Sequence, residues 1–436
     1  MSTAISYPSI LEQPVATPAL IPPWFAEAQT DAWKRFQALP APKRGVEEWR
    51  FSTTSHLDFH GYQLVDTPVK AEPWVERSQG VKDAAATLVF VNDQLVHSEN
   101  RLPEGVICLS LAEALRECPE RVQPYFMRYP TTLGSAKYSA LHASHLRNGV
   151  FLFVPEGVVV ENPVHIFHWV NGENTALLPH TLVVTAQGAS VRVIETFQST
   201  DETSASLTIA VNDLIAEKGS SLDYVAIQAL NKQSKAITIN ASEVATQAKA
   251  TAFLLSTGAA WARSESISRL LGEEARSNML GVSIPTRDQE FDQRTFQHHI
   301  SPGAYSDLLY KNSLYDEART IFSGLIFVDE GAHRTDAYQT CRNLLMSDTC
   351  EANSMPGLEI NADDVKCSHG STSSQISDEE IFYLRARGID SDTARQLIAR
   401  GFSIEVISRL NHDATEAYVL NFLDQKFATL RMRDVR

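Results

Sequence analysis

Gly188-Ala189-Ser190, running on into Val191-Arg192-Val193-Ile194, is a turn of small residues that opens onto alternating apolar positions. The same device returns at Gly219-Ser220-Ser221, Ala248-Lys249-Ala250, Glu274-Ala275-Arg276, Gly303-Ala304-Tyr305 and Gly331-Ala332-His333, at spacings of 31, 29, 26, 29 and 28 residues. A period this steady is the mark of stacked coils. One coil holds two or three strands with their turns, and only stacking buries an apolar side that no single coil can bury. The pattern therefore predicts a mainly β chain built on a right-handed parallel β-helix over residues 149–375, with roughly eight coils. A large β-sandwich is the competing architecture, but its strands recur every ~8 to 12 residues without a longer period.

The flanks differ in character. Residues 1–23 are rich in Pro, Ser and Thr and read as a loose leader. A helix follows over 24–39, ended by Pro40 and Pro42. A strand over 84–95 reaches the turn Asn92-Asp93, a short helix over 109–117 stops at Pro119, and a mostly helical connection covers 125–146. Together these make a small N-terminal α/β domain, residues 1–148. After the coils, Ser377-Asp378-Glu379-Glu380 is a capping box and Gly388 a helix stop. Further helices are expected over 392–400, around Ile404, Val406 and Ile407, and over 414–431. This C-terminal helical domain, 376–436, is expected to cap the β region, with apolar faces to spare for a partner protein.

With 436 residues, 43% hydrophobic and 21% charged, the composition is that of a soluble globular chain with a sizeable core. A formal net charge of -15 argues against nucleic-acid binding, which needs a basic face. No apolar run is long enough to span a bilayer, and the N-terminus has neither a secretory nor a transit pattern, so a cytoplasmic location is expected. The five cysteines form no CxxC, and an odd number suits free thiols. Neither G-x-x-x-x-G-K-[ST] nor G-x-G-x-x-G occurs, so any ATP the function needs must come with a partner.

Chemistry concentrates in Asp363-Asp364-Val365-Lys366-Cys367-Ser368-His369-Gly370. On a strand, Cys367 and His369 share one face, a soft sulfur beside an imidazole, which suits zinc, iron or an iron-sulfur centre. Two ligands do not complete a site, so a metal here needs groups from elsewhere in the chain or from a second chain. The plainer alternative is a buried thiol beside a satisfied histidine. The last coil also ends in an open sheet edge, which must be covered or paired. A rival of another class is a β-helix polysaccharide lyase or hydrolase with Asp288, Glu290 and Asp292 as its carboxylates. Their alternation with Gln289 and Phe291 reads instead as a solvated strand face.

With these residues in place the chain resembles the SufB/SufD family of bacterial iron-sulfur cluster assembly. The likeness lies in Asn343-Leu344-Leu345, Pro356-Gly357-Leu358-Glu359-Ile360, Ala362 through Gly370, and Phe382-Tyr383-Leu384-Arg385-Ala386-Arg387-Gly388, with echoes at Glu47-Glu48-Trp49-Arg50 and Tyr138-Ser139-Ala140-Leu141. Lacking a CxxC, it is closer to the SufD branch; Ser371 and Ser374 stand where the family tends to have Ala and Gly. The resemblance implies a scaffold rather than an enzyme, pairing with SufB through the β-helix edge, or with a second copy when isolated. It also implies docking of the ATPase SufC on the C-terminal helices. No tightly held cofactor is implied for the isolated chain, but Cys367 and His369 would lie at the SufB interface, where a cluster could be shared.

Overall fold

Each coil turns at a residue in the left-handed backbone region. In the computed structural model, which describes residues 5–14, 21–66 and 70–431, these corners are Gly188, Gly219, Gln247, Glu274, Gly303, Arg334 and Asp364, with φ between 54° and 69°. Four of the six predicted triplets begin on a corner. The third begins one residue after it, and the sixth begins three residues before it, where Gly331 adds another positive φ of 86°. A search for small residues misses such corners because Gln, Glu, Arg and Asp also occupy them, at a cost of about 1–2 kcal/mol. Bonds to the next coil offset that cost: Gly219 N–H donates to the carbonyl of Thr246 and Gln247 N–H to that of Glu273, both at 2.9 Å.

Between corners each coil lays one strand in each of two parallel sheets, giving a solenoid of about 8 turns. The first sheet runs through Val164–Val170, Ser190–Ser199, Ser221–Ala229, Lys249–Ser256, Arg276–Ser283, Tyr305–Leu314, Asp336–Leu345 and Lys366–Gln375. The second runs through Ser206–Ala216, Lys235–Val244, Trp261–Leu270, Glu290–His299, Arg319–Val328 and Glu351–Ile360. Pairing is in register, so inward side chains stack in columns such as Leu222, Ala250, Ser277, Ser306, Ala337 and Cys367. In the early coils many of these inward positions are aliphatic, with Val191, Val193, Leu214 and Leu222 wholly buried. Each contributes about 1.5–3 kcal/mol, available only once the next coil covers it.

The N-terminal α/β region is joined to the solenoid rather than standing beside it. Ala86–Val91 pairs parallel with Val164–Val170, then turns at Asn92-Asp93, both with positive φ, into Gln94–Asn100. Ile107–Ser110 pairs antiparallel with Gly149–Val154. The helices Pro23–Ala38 and Ala136–His145 lie over the outer face of the second sheet, where Phe36, Tyr138 and Leu141 meet Leu207, Ile237 and Trp261. The expected helical connection is shorter than 125–146, since only Ala136–His145 is a long helix. The leader is not uniformly loose either: Ile5–Ser9 pairs antiparallel with Gln63–Asp66 and Ile10 is buried, while residues 1–4 and 15–20 lie outside the described residues.

Three C-terminal helices form, Asp378–Arg385, Ser391–Ile407 and Asp413–Arg431, instead of four. Gly401 does not break the second, because glycine in a helix costs only about 1 kcal/mol and packing on both sides carries the helix through. Nor do these helices cap the coil stack. They lie along its flank: Ala394, Ala399, Val406, Val419, Leu423 and Phe427 cover Ile194, Val225, Phe253, Leu280 and Leu309 on the outer face of the first sheet. Both sheets are thus buried on both faces through most of their length, as parallel sheets require. No helix among the described residues is long and apolar enough to cross a membrane.

Candidate functional site

The flanking regions leave one end of the stack uncovered. Glu351–Ile360 ends the second sheet and Lys366–Gln375 ends the first, each pairing on one side only among the described residues. Almost all of Lys366–Gln375 is exposed. Lys366 N–H donates to the Thr335 carbonyl at 2.8 Å. In a parallel ladder alternate residues turn their amides the same way, so those of Cys367, His369, Ser371 and Ser373 point off the free edge.

The side chains of these same four residues continue the inward columns, above Ala337, Gln339, Cys341 and Asn343. The expected sharing of a face by Cys367 and His369 is therefore present, about two residues' rise apart along one strand. Cys367 is half-buried, packed against the cluster of Ile326, Val328, Ala332 and Ala337. That burial, with the Asp336 carboxylate second, pushes its thiol above the ordinary range, so it is protonated at neutral pH. His369 is exposed. As donors, a thiol that becomes thiolate on binding and an imidazole fit iron, yet no cluster of three or more His, Cys, Asp or Glu suited to a metal occurs among the described residues. A tetrahedral site needs two further ligands beyond this pair.

The interior beneath this end is polar, as is part of the early interior, where Tyr224 binds both Glu195 and Asn212. Gln293, Asn312, Asn343 and Ser373 form a hydrogen-bonded ladder: Gln293 Nε2 donates to Asn312 Oδ1 at 3.1 Å, Asn312 Nδ2 to Asn343 Oδ1 at 2.8 Å, and Asn343 Nδ2 to Ser373 Oγ at 3.1 Å. Cys341 lies wholly buried beside it, its thiol pushed up to about 12 by burial. Cys350 donates to the Ser347 carbonyl at 3.1 Å. Neither adjoins Cys367 in the inward columns, and all five cysteines are free. Sequence patterning offered no sign of this ladder, because inward amides and outward amides look alike in a period-two run.

The family pattern described as SUF system FeS cluster assembly, SufBD core domain, matches residues 168–402, and that of the SufBD protein N-terminal region matches 19–166. The chain belongs to the SufB/SufD family. It is SufD-like within that family. An iron-sulfur cluster assembly protein SufD of Escherichia coli strain K12 is 30% identical over 395 residues, 88% of this chain and 89% of the relative. A protein of the same description from Bacillus subtilis strain 168 is 25% identical over 434 residues, 93% of this chain and 94% of the relative. A chloroplastic protein ABCI7 of Arabidopsis thaliana is 25% identical over 380 residues, 85% of this chain and 79% of the relative. This SufD-like chain is thus an iron-sulfur cluster assembly protein.

The carboxylate row that suggested a polysaccharide lyase or hydrolase is a different object in this SufB/SufD fold. Asp288 is exposed, but Glu290 and Asp292 are buried and not a solvated face. Asp292 binds Arg263 and accepts from Arg294 Nε at 2.6 Å; Glu290 accepts from Arg319 Nη1 at 2.6 Å and from the Thr53 amide at 2.8 Å. Arg263 also binds Glu265, at 2.7 Å, and reaches the carbonyls of Glu48 and Leu133. Its guanidinium lies 3.8 Å from the Trp49 ring centroid. The arm Glu47-Glu48-Trp49-Arg50 is therefore the lid that seals these charges against the second sheet. Carboxylates held by arginines in this way are not free for acid/base work on a sugar. The sequence could not reveal this, since arm and strands lie more than two hundred residues apart.

Proposed function

We propose that this SufD-like chain is a scaffold subunit, cytoplasmic and not itself an enzyme. In this reading it pairs with SufB through the open end of the solenoid, docks the ATPase SufC on its C-terminal helices, and offers His369, helped by Cys367, to iron being assembled into a cluster. The observation that carries the reading is the coincidence at one end of two unpaired strand edges and an incomplete ligand pair. An edge demands a strand partner and the ligand pair demands donors, and one partner chain would answer both. Support for docking comes from the helix Asp378–Arg385, which buries Ile381 but leaves Phe382 71% and Tyr383 57% exposed. Such exposure of neighbouring aromatics suits a protein interface.

The test is co-purification with SufB and SufC from cells, comparing the natural chain with His369→Ala. The variant should recover both partners in normal amounts, because an exposed side chain contributes little to packing, while cluster formation in cells falls sharply. Cys367→Ala should have a smaller effect, since SufB can supply thiolates. Recovery of neither partner by the natural chain would refute the scaffold reading. Normal cluster formation by His369→Ala would refute the ligand role alone.

A further inference from the structure

At the open end each inward residue of Asp336–Leu345 lies directly beneath one of Lys366–Gln375, at the ~4.8 Å spacing of neighbouring strands. One of these steps is bridged by side chains, Asn343 Nδ2 donating to Ser373 Oγ at 3.1 Å, and the step below it is bridged likewise, Asn312 to Asn343 at 2.8 Å. Four residues back along the same two strands, the equivalent step from Gln339 to His369 is open. Gln339 is 1% exposed, yet both its amide oxygen and its amide nitrogen have no hydrogen-bond partner.

The chain makes room for this amide. A Cβ added at Gly324, across the interior, would fall 1.8 Å from Gln339 Nε2. A glycine inside a strand weakens it, and a buried amide without a partner is costly as well. Two losses therefore converge on one polar group lying a single strand below His369.

We propose that Gln339 is a positioning residue for His369: its side-chain carbonyl accepts the N–H of one ring nitrogen and so holds the ring in the tautomer that turns the other nitrogen toward iron at the open end. An imidazole that binds a metal through one nitrogen carries its proton on the other, and an acceptor for that proton orients the ring and tightens binding. Gln339 Oε1 is a buried acceptor left unused one strand below His369. The inference deepens the reading of His369 as an iron ligand and rests on it.

The test has two readouts. In the full chain with ring-15N-labelled histidine, the His369 resonance, assigned by its loss in His369→Ala, should report one neutral tautomer at pH 8. Gln339→Leu should give an averaged mixture, and Gln339→Glu, which keeps an acceptor, should restore the single form. In the complex with its partners, ferrous iron should bind Gln339→Leu about tenfold or more weakly, with recovery in Gln339→Glu. If Gln339→Leu keeps the single tautomer, the amide merely holds water and this inference fails, while the ligand reading stands. If the His369→Ala complex takes up iron normally, the ligand reading fails and this one with it.

Discussion

His369 and Arg263, one in each sheet of the solenoid, show how differently two polar residues of one fold can be employed. His369 sits exposed on an edge and contributes little to folding. Arg263 is 1% exposed, holds Glu265 and Asp292, and is covered by Trp49. Removing one member of such a buried set leaves the others charged and unpaired, at a cost of about 3–5 kcal/mol. Arg263→Ala should therefore lower unfolding stability by that amount in urea titration and loosen the arm around Trp49, seen as greater exposure of its fluorescence to quencher. A loss below ~1 kcal/mol would mean that water reaches the carboxylates and that the network is not sealed. In the sequence, Asp292 and Glu290 were visible as carboxylates on one strand face. Their partners were not, because Arg263 and Arg319 stand one coil to either side and become neighbours only through parallel pairing.

At the scale of elements, the last strand matters more for its edge than for its side chains. Lys366–Gln375 lies on Asp336–Leu345 along one side and turns the amides of Cys367, His369, Ser371 and Ser373 to the other. Ser371→Pro removes one of those outward donors without disturbing the inner ladder, and proline is tolerated on edge strands. The variant should fold with unchanged circular dichroism yet bind SufB more weakly, as measured by titration of one purified chain with the other. Unchanged affinity would move the interface away from this edge. The existence of the strand was legible in the alternation of Val365, Cys367 and His369. Its freedom at the edge depended on where the C-terminal helices went, and they lie on the flank because Ile194, Val225, Phe253 and Leu280 present a wide apolar face there.

Across the whole molecule, burial holds several histidines neutral: His142 falls to about 3, His165 to about 4 and His299 to about 4, each through desolvation first. His142 is wholly buried, its Nδ1 2.9 Å from the Ile209 carbonyl. Their unfolded value is ~6.5, so below that pH the unfolded chain takes up protons that the folded chain refuses. The stability is therefore complete above pH 6.5 and lost as the pH falls toward 4, by about 2 kcal/mol for each of the three at pH 5. The urea midpoint should drop clearly between pH 7.5 and pH 5; an unchanged midpoint would show that these rings charge inside the fold. What the sequence determined by itself is whatever repeats or is local: the coil period, the strand alternation, the capping box at Ser377 and the adjacency of Cys367 and His369. The tertiary structure alone decided which polar residues are sealed, which are orphaned and that the C-terminal helices leave the last coil's edge free. Those outcomes depend on contacts between coils about thirty residues apart and between termini hundreds of residues apart, and a local pattern carries no record of them.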